Sequence, residues 1–248
     1  MVMNGKTGVI LNDVKKAVDE LIKHVGKDII MGMPIGLGQP AILLNEIYRR
    51  VKEDPTMSLS VLSALPLEKP KGNSDIERRL LGPISERLFD GVNELDYAVD
   101  MREGKLPKNV HIYEFYGKAG THVNNQHFQM NHLPSNYTHC FRDGVSCYGF
   151  NVFAQLISVK KINGKTMYSM GCTTDICFEA LEKVKELKAK GEKVAAVVEA
   201  NANLPFMYGD AVIDKSEYDF ILQGEEFNTR LFGAPKDAVG LSDHMIGL

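Results

Sequence analysis

Two segments of the chain combine residue types that can hold a ligand. The first is Gly32-Met33-Pro34-Ile35-Gly36-Leu37-Gly38-Gln39-Pro40, rich in glycine and proline. Glycines let backbone approach a ligand closely, and a helix start behind them offers N–H groups and a partial positive charge. Phosphates, carboxylates and developing oxyanions all suit such a place. The spacing is not GxGxxG and lacks the Lys-Ser/Thr end of a P-loop. The segment therefore reads either as a ligand-facing loop or as a tight strand-to-helix turn. The second segment is Asn201-Ala202-Asn203-Leu204-Pro205, followed by Gly209-Asp210. It lies just past the apolar run Val194–Val198, and in open parallel sheets ligands collect at the carboxyl ends of strands. Its two asparagines can hydrogen-bond a substrate, or they can satisfy the backbone of a turn.

Other reactive residues carry weaker patterns. His122, His127, His132 and His139 stand close to Cys140, but their spacing matches neither HExxH nor a zinc knuckle, so no metal is expected. Cys140 and Cys147, and likewise Cys172 and Cys177, are spaced wrongly for a thioredoxin-type dithiol. Cys177 falls in a helical pattern and reads as buried filler. No Gly-x-Ser-x-Gly elbow is present, which argues against a serine hydrolase of that type.

The elements that must position these residues alternate between helix and strand. Apolar Val14, Val18, Leu21, Ile22 and Val25 predict a helix from about Asn12 to Val25, capped by Asn12 or Asp13 and ended by Gly26. Asp28–Met31 reads as a buried strand. The glycine-rich segment follows, and then a helix over Ala41–Val51 with Pro40 in its first turn. Ser58–Leu62 reads as a strand reaching toward Leu65, and Asp75–Asp90 as a helix through Ile76, Leu80, Ile84 and Leu88. Val110–Phe115 is another strand. Gly117–Gly149 has little periodicity and is either a functional loop or holds short hidden elements. Val152–Val159 is a strand, Asn163-Gly164 signals a hairpin, and Met167–Met170 is the return. Thr173 or Thr174 can cap a helix running to about Lys190. Val194–Val198 is a buried strand, and Tyr218–Leu222 reads as an edge strand. This alternation predicts an α/β fold, a largely parallel sheet with helices on both faces.

The whole chain has 248 residues, 44% of them hydrophobic and 25% charged, and a formal net charge of -3. That size allows one large domain or two small ones, and an ample core. The charge balance gives no reason to expect nucleic acid or a membrane surface as partner. Met1–Ile10 lacks the pattern of a secretory signal, and no stretch approaches the roughly 20 apolar residues of a membrane span. The expectation is a cytoplasmic protein with reduced thiols.

Against this background the sequence resembles the N-terminal domain of the acetyl-CoA hydrolase / 4-hydroxybutyrate CoA-transferase family. Asp28–Gly32 with the turn ending in Gln39-Pro40 carries part of the resemblance. Val152–Ser158, Met167–Gly171 and Thr174-Asp175 carry more. Val197–Pro205 running on to Gly209-Asp210 is similar to the family's Asn-x-Asn-x-Pro segment before a Gly-Asp pair. Ser242–Gly247 resembles the start of a linker helix into a second domain. Gly117–Phe150, rich in His and Asn, departs from the commoner members. The resemblance implies a CoA-transferase-like fold and covalent catalysis by a glutamate that passes through an acyl anhydride and a glutamyl-CoA thioester. That glutamate belongs to a C-terminal domain, behind a second glycine-rich loop, and the sequence stops at Leu248 before either. Glu46, Glu114 and Glu199 do not occupy the matching motif and are not nominated as nucleophile. The implied partners are acyl-CoA, a small carboxylate, the protein's own C-terminal domain and further copies in a homo-oligomer. Coenzyme A enters as substrate, and no covalently bound cofactor is expected. Gly36, Gly38 and Gln39 are expected to contact the acyl part, and Asn201, Asn203, Pro205 and Gly209 to line the substrate face. Two alternatives remain: a non-catalytic module that binds CoA or an acidic metabolite, and, by fold-level analogy alone, a sugar-phosphate isomerase.

Overall fold

The computed structural model of the chain describes residues 7–72, 74–231 and 245. The linker-helix resemblance at Ser242–Gly247 lies, Met245 apart, outside the described residues. The chain divides into two compact units, one of residues 1–68 and 93–229, the other of residues 69–92 and 230–248.

In the larger unit nine described strands form one sheet. Seven of them, β1 (Val9–Leu11), β2 (Asp28–Gly32), β3 (Ser58–Ser63), β4 (Val110–Glu114), β5 (Val152–Ile162), β7 (Ala195–Asn201) and β9 (Phe220–Leu222), run in the order β1-β9-β7-β5-β2-β3-β4 with every neighbouring pair parallel. The far half of β5 turns through Asn163-Gly164 into antiparallel β6 (Lys165–Ser169), which pairs with β8 (Val212–Ile213). Asn163 and Gly164 both have positive φ, 50° and 80°, as the tight hairpin requires. Tyr218–Leu222 is not an edge strand. β1, too short to leave a periodic signal, pairs outside it.

Helices cover both faces, because alternate strand residues point to opposite sides. On one face Met31, Val61, Ile112, Ala154 and Val197 pack against α1 (Val14–Val25), α2 (Ala41–Glu53) and α4 (Asp96–Arg102). On the other, Phe153, Ile157, Ala196 and Val198 pack against α7 (Cys177–Ala189). α1 starts at Asp13, whose carboxylate accepts from the Lys15 and Lys16 amides, and ends at Gly26 with φ 96°. α7 begins later than Thr173 or Thr174 would place it. Ile176 is its N-cap and makes no side-chain cap bond.

The Gly117–Gly149 segment does hold short elements, α5 (Gln126–Asn131) and α6 (Cys140–Tyr148). It covers β4, the outer strand of the sheet. Ile112 N–H donates to His127 Nε2 (3.1 Å), while the Glu114 carbonyl accepts from Leu133 N–H (3.1 Å) and from His132 Nδ1 (2.8 Å). The histidines thus close an open edge, which otherwise invites another strand. Among the described residues no group of His, Cys, Asp and Glu could hold a metal ion. Nor is any described helix long and apolar enough to cross a membrane.

In the smaller unit α3 (Asp75–Phe89) starts with a reciprocal capping box between Ser74 and Glu77. The stripe that marks its period is not core. Ile76, Leu80 and Ile84 are exposed.

β2 and β5 meet where the sheet reverses its order of growth, and their ladder is short: Met31 opposite Val152 and Gly32 opposite Phe153. The side chain of Asn151 lengthens it, accepting from Ile30 N–H (2.8 Å) and donating to the Asp28 carbonyl (2.7 Å). Asn151→Ala leaves Ile30 N–H without this acceptor and is expected to lower unfolding stability by about 1–3 kcal/mol, read from urea denaturation.

Candidate functional site

The carboxyl ends of β2 and β7 carry the two loops that sequence reasoning selected. Gly36–Gly38 forms a single 3-10 turn, and Gly36 sits at φ 52° with open space where a Cβ would be. Gly38 is there for packing, since a Cβ would come within 2.6 Å of Pro34 and 3.0 Å of Thr173. Gln39 is buried. Its Nε2 donates to Ser63 Oγ (2.9 Å) and the Ala64 carbonyl (3.0 Å), while its Oε1 has no protein partner.

The asparagines serve the turn. Asn201 is fully buried, donates to the Thr229 carbonyl (3.0 Å) and accepts from Asn203 N–H (2.8 Å). Asn203 is exposed, but its amide donates to the Asn228 (2.9 Å) and Thr229 (3.1 Å) carbonyls. Pro205 and Gly209 are exposed, with Gly209 at φ 71° opening a 3-10 turn.

Sequence reasoning missed what joins the two loops. The α2 start, expected to attract an external anion, holds one of the chain's own. Glu199, 1% exposed on β7, accepts from the Ile42 and Leu43 amides at 3.1 Å each. Burial pushes its carboxyl up to about 7 against the lowering effect of those two bonds. Glu46 and Glu114 differ. Glu46 accepts from Arg49 and Arg50 on its own helix. Glu114, 1% exposed, has no protein partner for either oxygen, and desolvation raises it from 4.5 to about 8. It lies directly across from Ser63 on β3. Gln39, Ser63 and Glu114 therefore form a buried polar row on the α2/α4 face, with the Tyr97 hydroxyl, also unpartnered, close enough to feel the Glu114 charge.

The opposite face of the same edge is apolar. There the Met33–Ile35 backbone, Leu62, Tyr113 and Phe153 enclose a cavity of about 40 Å³ with α6. α6 is held over it by Tyr148 stacking on Tyr113 (centroids 3.8 Å apart) and by Phe141 meeting Phe150 edge-on. Asp175 closes the loop side, accepting from Ile35 N–H (3.0 Å) and Ile176 N–H (2.5 Å). Cys140 and Cys177 are buried, which raises both thiols and makes them poor nucleophiles.

Glu114 gives a pH signature. The folded state keeps this proton to about 8, whereas the unfolded chain releases it near 4.5. Stability is thus full below the unfolded value and falls as pH rises through that window. The total is on the order of 4 kcal/mol. Glu114→Gln should lose this fall, so that its stability relative to the wild type rises steadily from about pH 5 to about pH 8 in denaturation curves.

No protein-family model matches the chain, and no curated protein does. Solved structures do. RipA from Yersinia pestis aligns with a TM-score of 0.56 at 17% identity, covering 94% of this chain and 45% of that one. A single-residue variant of RipA gives 0.58 at 17% identity over 94% and 44%, and another gives 0.57 at 18% over 96% and 48%. A 4-hydroxybutyrate CoA-transferase from Porphyromonas gingivalis also matches, with a TM-score of 0.40 at 16% identity over 86% and 38%. The chain spans less than half the length of the RipA structures, and at these identities the likeness to RipA is one of fold: an α/β domain whose largely parallel sheet has helices on both faces.

Proposed function

We propose that this chain is the substrate-facing N-terminal half of an enzyme that moves CoA between an acyl-CoA and a carboxylic acid, or hydrolyses the acyl-CoA. In this reading a glutamate on a C-terminal domain attacks the thioester carbonyl and expels CoA thiolate, leaving an acyl-glutamyl anhydride. The thiolate then attacks the glutamyl carbonyl, releasing the first carboxylate and leaving glutamyl-CoA. An incoming carboxylate or water resolves that thioester. The present chain supplies one wall: backbone around Gly36, Gly38 and Gln39 on one side, and the Asn201–Gly209 turn on the other.

One observation carries the proposal. The two loops that resemble the family's lie more than 150 residues apart in sequence, yet Glu199 ties the helix behind one to the strand before the other. The same tie argues that the CoA phosphates are not held at the α2 start, where a carboxylate already accepts both amides. The glutamates of this wall are buried or ion-paired, which agrees with a nucleophile supplied from elsewhere.

In the polypeptide that also carries the C-terminal domain, Asn203→Ala releases the turn from Asn228 and Thr229 and is expected to lower kcat/KM for acetyl-CoA roughly tenfold, equivalent to about 1.4 kcal/mol. Unchanged kcat/KM in that variant and in Gln39→Ala would remove both loops from the site. The enclosed cavity favours a second reading, a non-catalytic binding module. Tight acetyl-CoA binding by the 248-residue chain in calorimetry, with no turnover in the longer polypeptide, would select it.

A further inference from the structure

The cavity under α6 has walls of one chemical kind. Three of the polar side chains that reach it are already engaged. Ser63 Oγ donates to the Pro34 carbonyl (3.0 Å), Cys140 Sγ donates to the Tyr137 carbonyl (3.1 Å), and each Asp175 oxygen accepts a backbone N–H. Apart from the hydroxyls of Tyr113 and Tyr137, the rest of the lining is hydrocarbon or aromatic ring, contributed by Ile35, Leu62, Phe141, Val145, Phe150 and Phe153 among others. A guest with a hydrogen-bonding group out of reach of those two hydroxyls would lose its water partners and gain none, which is costly. A carboxylate would in addition face Asp175, whose own carboxyl is raised by burial. The guest that fits is therefore apolar over the part that enters. A cavity of about 40 Å³ limits it to a short chain. Tyr137, 54% exposed, lines it and marks where it meets solvent, so a polar end can stay outside.

We propose that this cavity is a binding site for a short, unbranched aliphatic chain, and, resting on the CoA reading above, that it takes the hydrocarbon part of the acyl group. None of Gly36, Gly38, Gln39 or the asparagines lines it. The selecting residues come from α6 and its approach, in the segment that departs most from the commoner members of the family that the sequence resembles. Gly144, buried in the middle of α6, sets the depth. A Cβ there would meet only Leu133, at an ordinary 3.8 Å. Larger side chains at this position can grow into the cavity without a backbone clash, and replacing a helical glycine also favours the helix.

The test uses the 248-residue chain with methyl-labelled Met, Ile and Leu and a guest that contains no CoA. Titration with butan-1-ol should give saturable NMR shifts at Met33, Ile35 and Leu133, and octan-1-ol should not reproduce them. Gly144→Leu should bind butan-1-ol at least tenfold more weakly with thermal stability unchanged or raised, and Gly144→Ala should fall between. Absence of saturable shifts in the wild type, or equal affinity in wild type and both variants, overturns the proposal. Saturable butan-1-ol binding without acetyl-CoA binding or turnover would keep the aliphatic site and remove the CoA reading, so the two fail separately.

Discussion

The buried carboxylate of Glu199 is the constraint on which the carboxyl edge of the sheet depends. An ionised carboxylate 1% exposed is costly unless it is hydrogen-bonded, and the free amides at the start of α2 are among the few groups that can offset it. The bond runs from β7 to a helix that follows β2, across the intervening β5. It therefore fixes two chain reversals with a single group. The glycine-rich turn must end where Ile42 and Leu43 can reach Glu199, and β7 must hand over to the turn at Asn201, two residues after Glu199. Asn201 and Asn203 continue the logic by fastening that turn to residues 228–229.

Much of this framework was legible in the sequence because its causes are local. α1 carries its own apolar stripe, its Asp13 cap and its Gly26 stop. Val194–Val198 is a run that only a strand covered on both faces explains, and Asn163-Gly164 writes its own turn. The elements that escaped are those whose cause is distant. β1 has three residues and exists through pairing with Phe220–Leu222. α5 and α6 have weak periodicity, since much of their stability comes from stacking on β4 and on Phe150. α3 shows the converse. Its spacing and capping box are enough to make the helix, yet Ile76 and Leu80 stay exposed, because a helical period records a stripe and not what covers it.

The site divides in the same way. That the Gly32–Pro40 and Asn201–Gly209 segments would stand at strand ends could be read from the apolar runs before them. What their side chains do there could not, because Gln39 binds Ser63 and Ala64, Asn201 binds Thr229, and Glu199 binds amides 156 and 157 positions away. A glycine-rich turn before a helix reads as an empty anion site until the rest of the fold shows which anion already fills it. The histidine series is a similar case. Imidazoles beside a thiol suggest metal chemistry, whereas here His127 and His132 take up loose N–H and C=O groups of an outer strand.

Strand alternation gives the edge two unlike faces. Along β4, Tyr113 lines the apolar cavity under α6, and Glu114, the next residue, turns to the buried polar row with Gln39 and Ser63. Along β3, Leu62 faces the cavity, and the Ser63 hydroxyl reaches the Gln39 amide. On β4 one residue of register thus separates an aromatic wall from an unpartnered carboxyl, and a slip of one position would exchange them. The polar row has acceptors without partners at Gln39 Oε1 and Glu114, and holding Glu114 protonated is the cheapest way to keep that row buried. In the apolar cavity Ser63, Cys140 and Asp175 are satisfied within the wall. Under the proposed reading, this contrast would sort a substrate with a hydrocarbon end and a reactive polar end: the apolar end would enter beneath α6, and the polar end would stay at the mouth, near Tyr137.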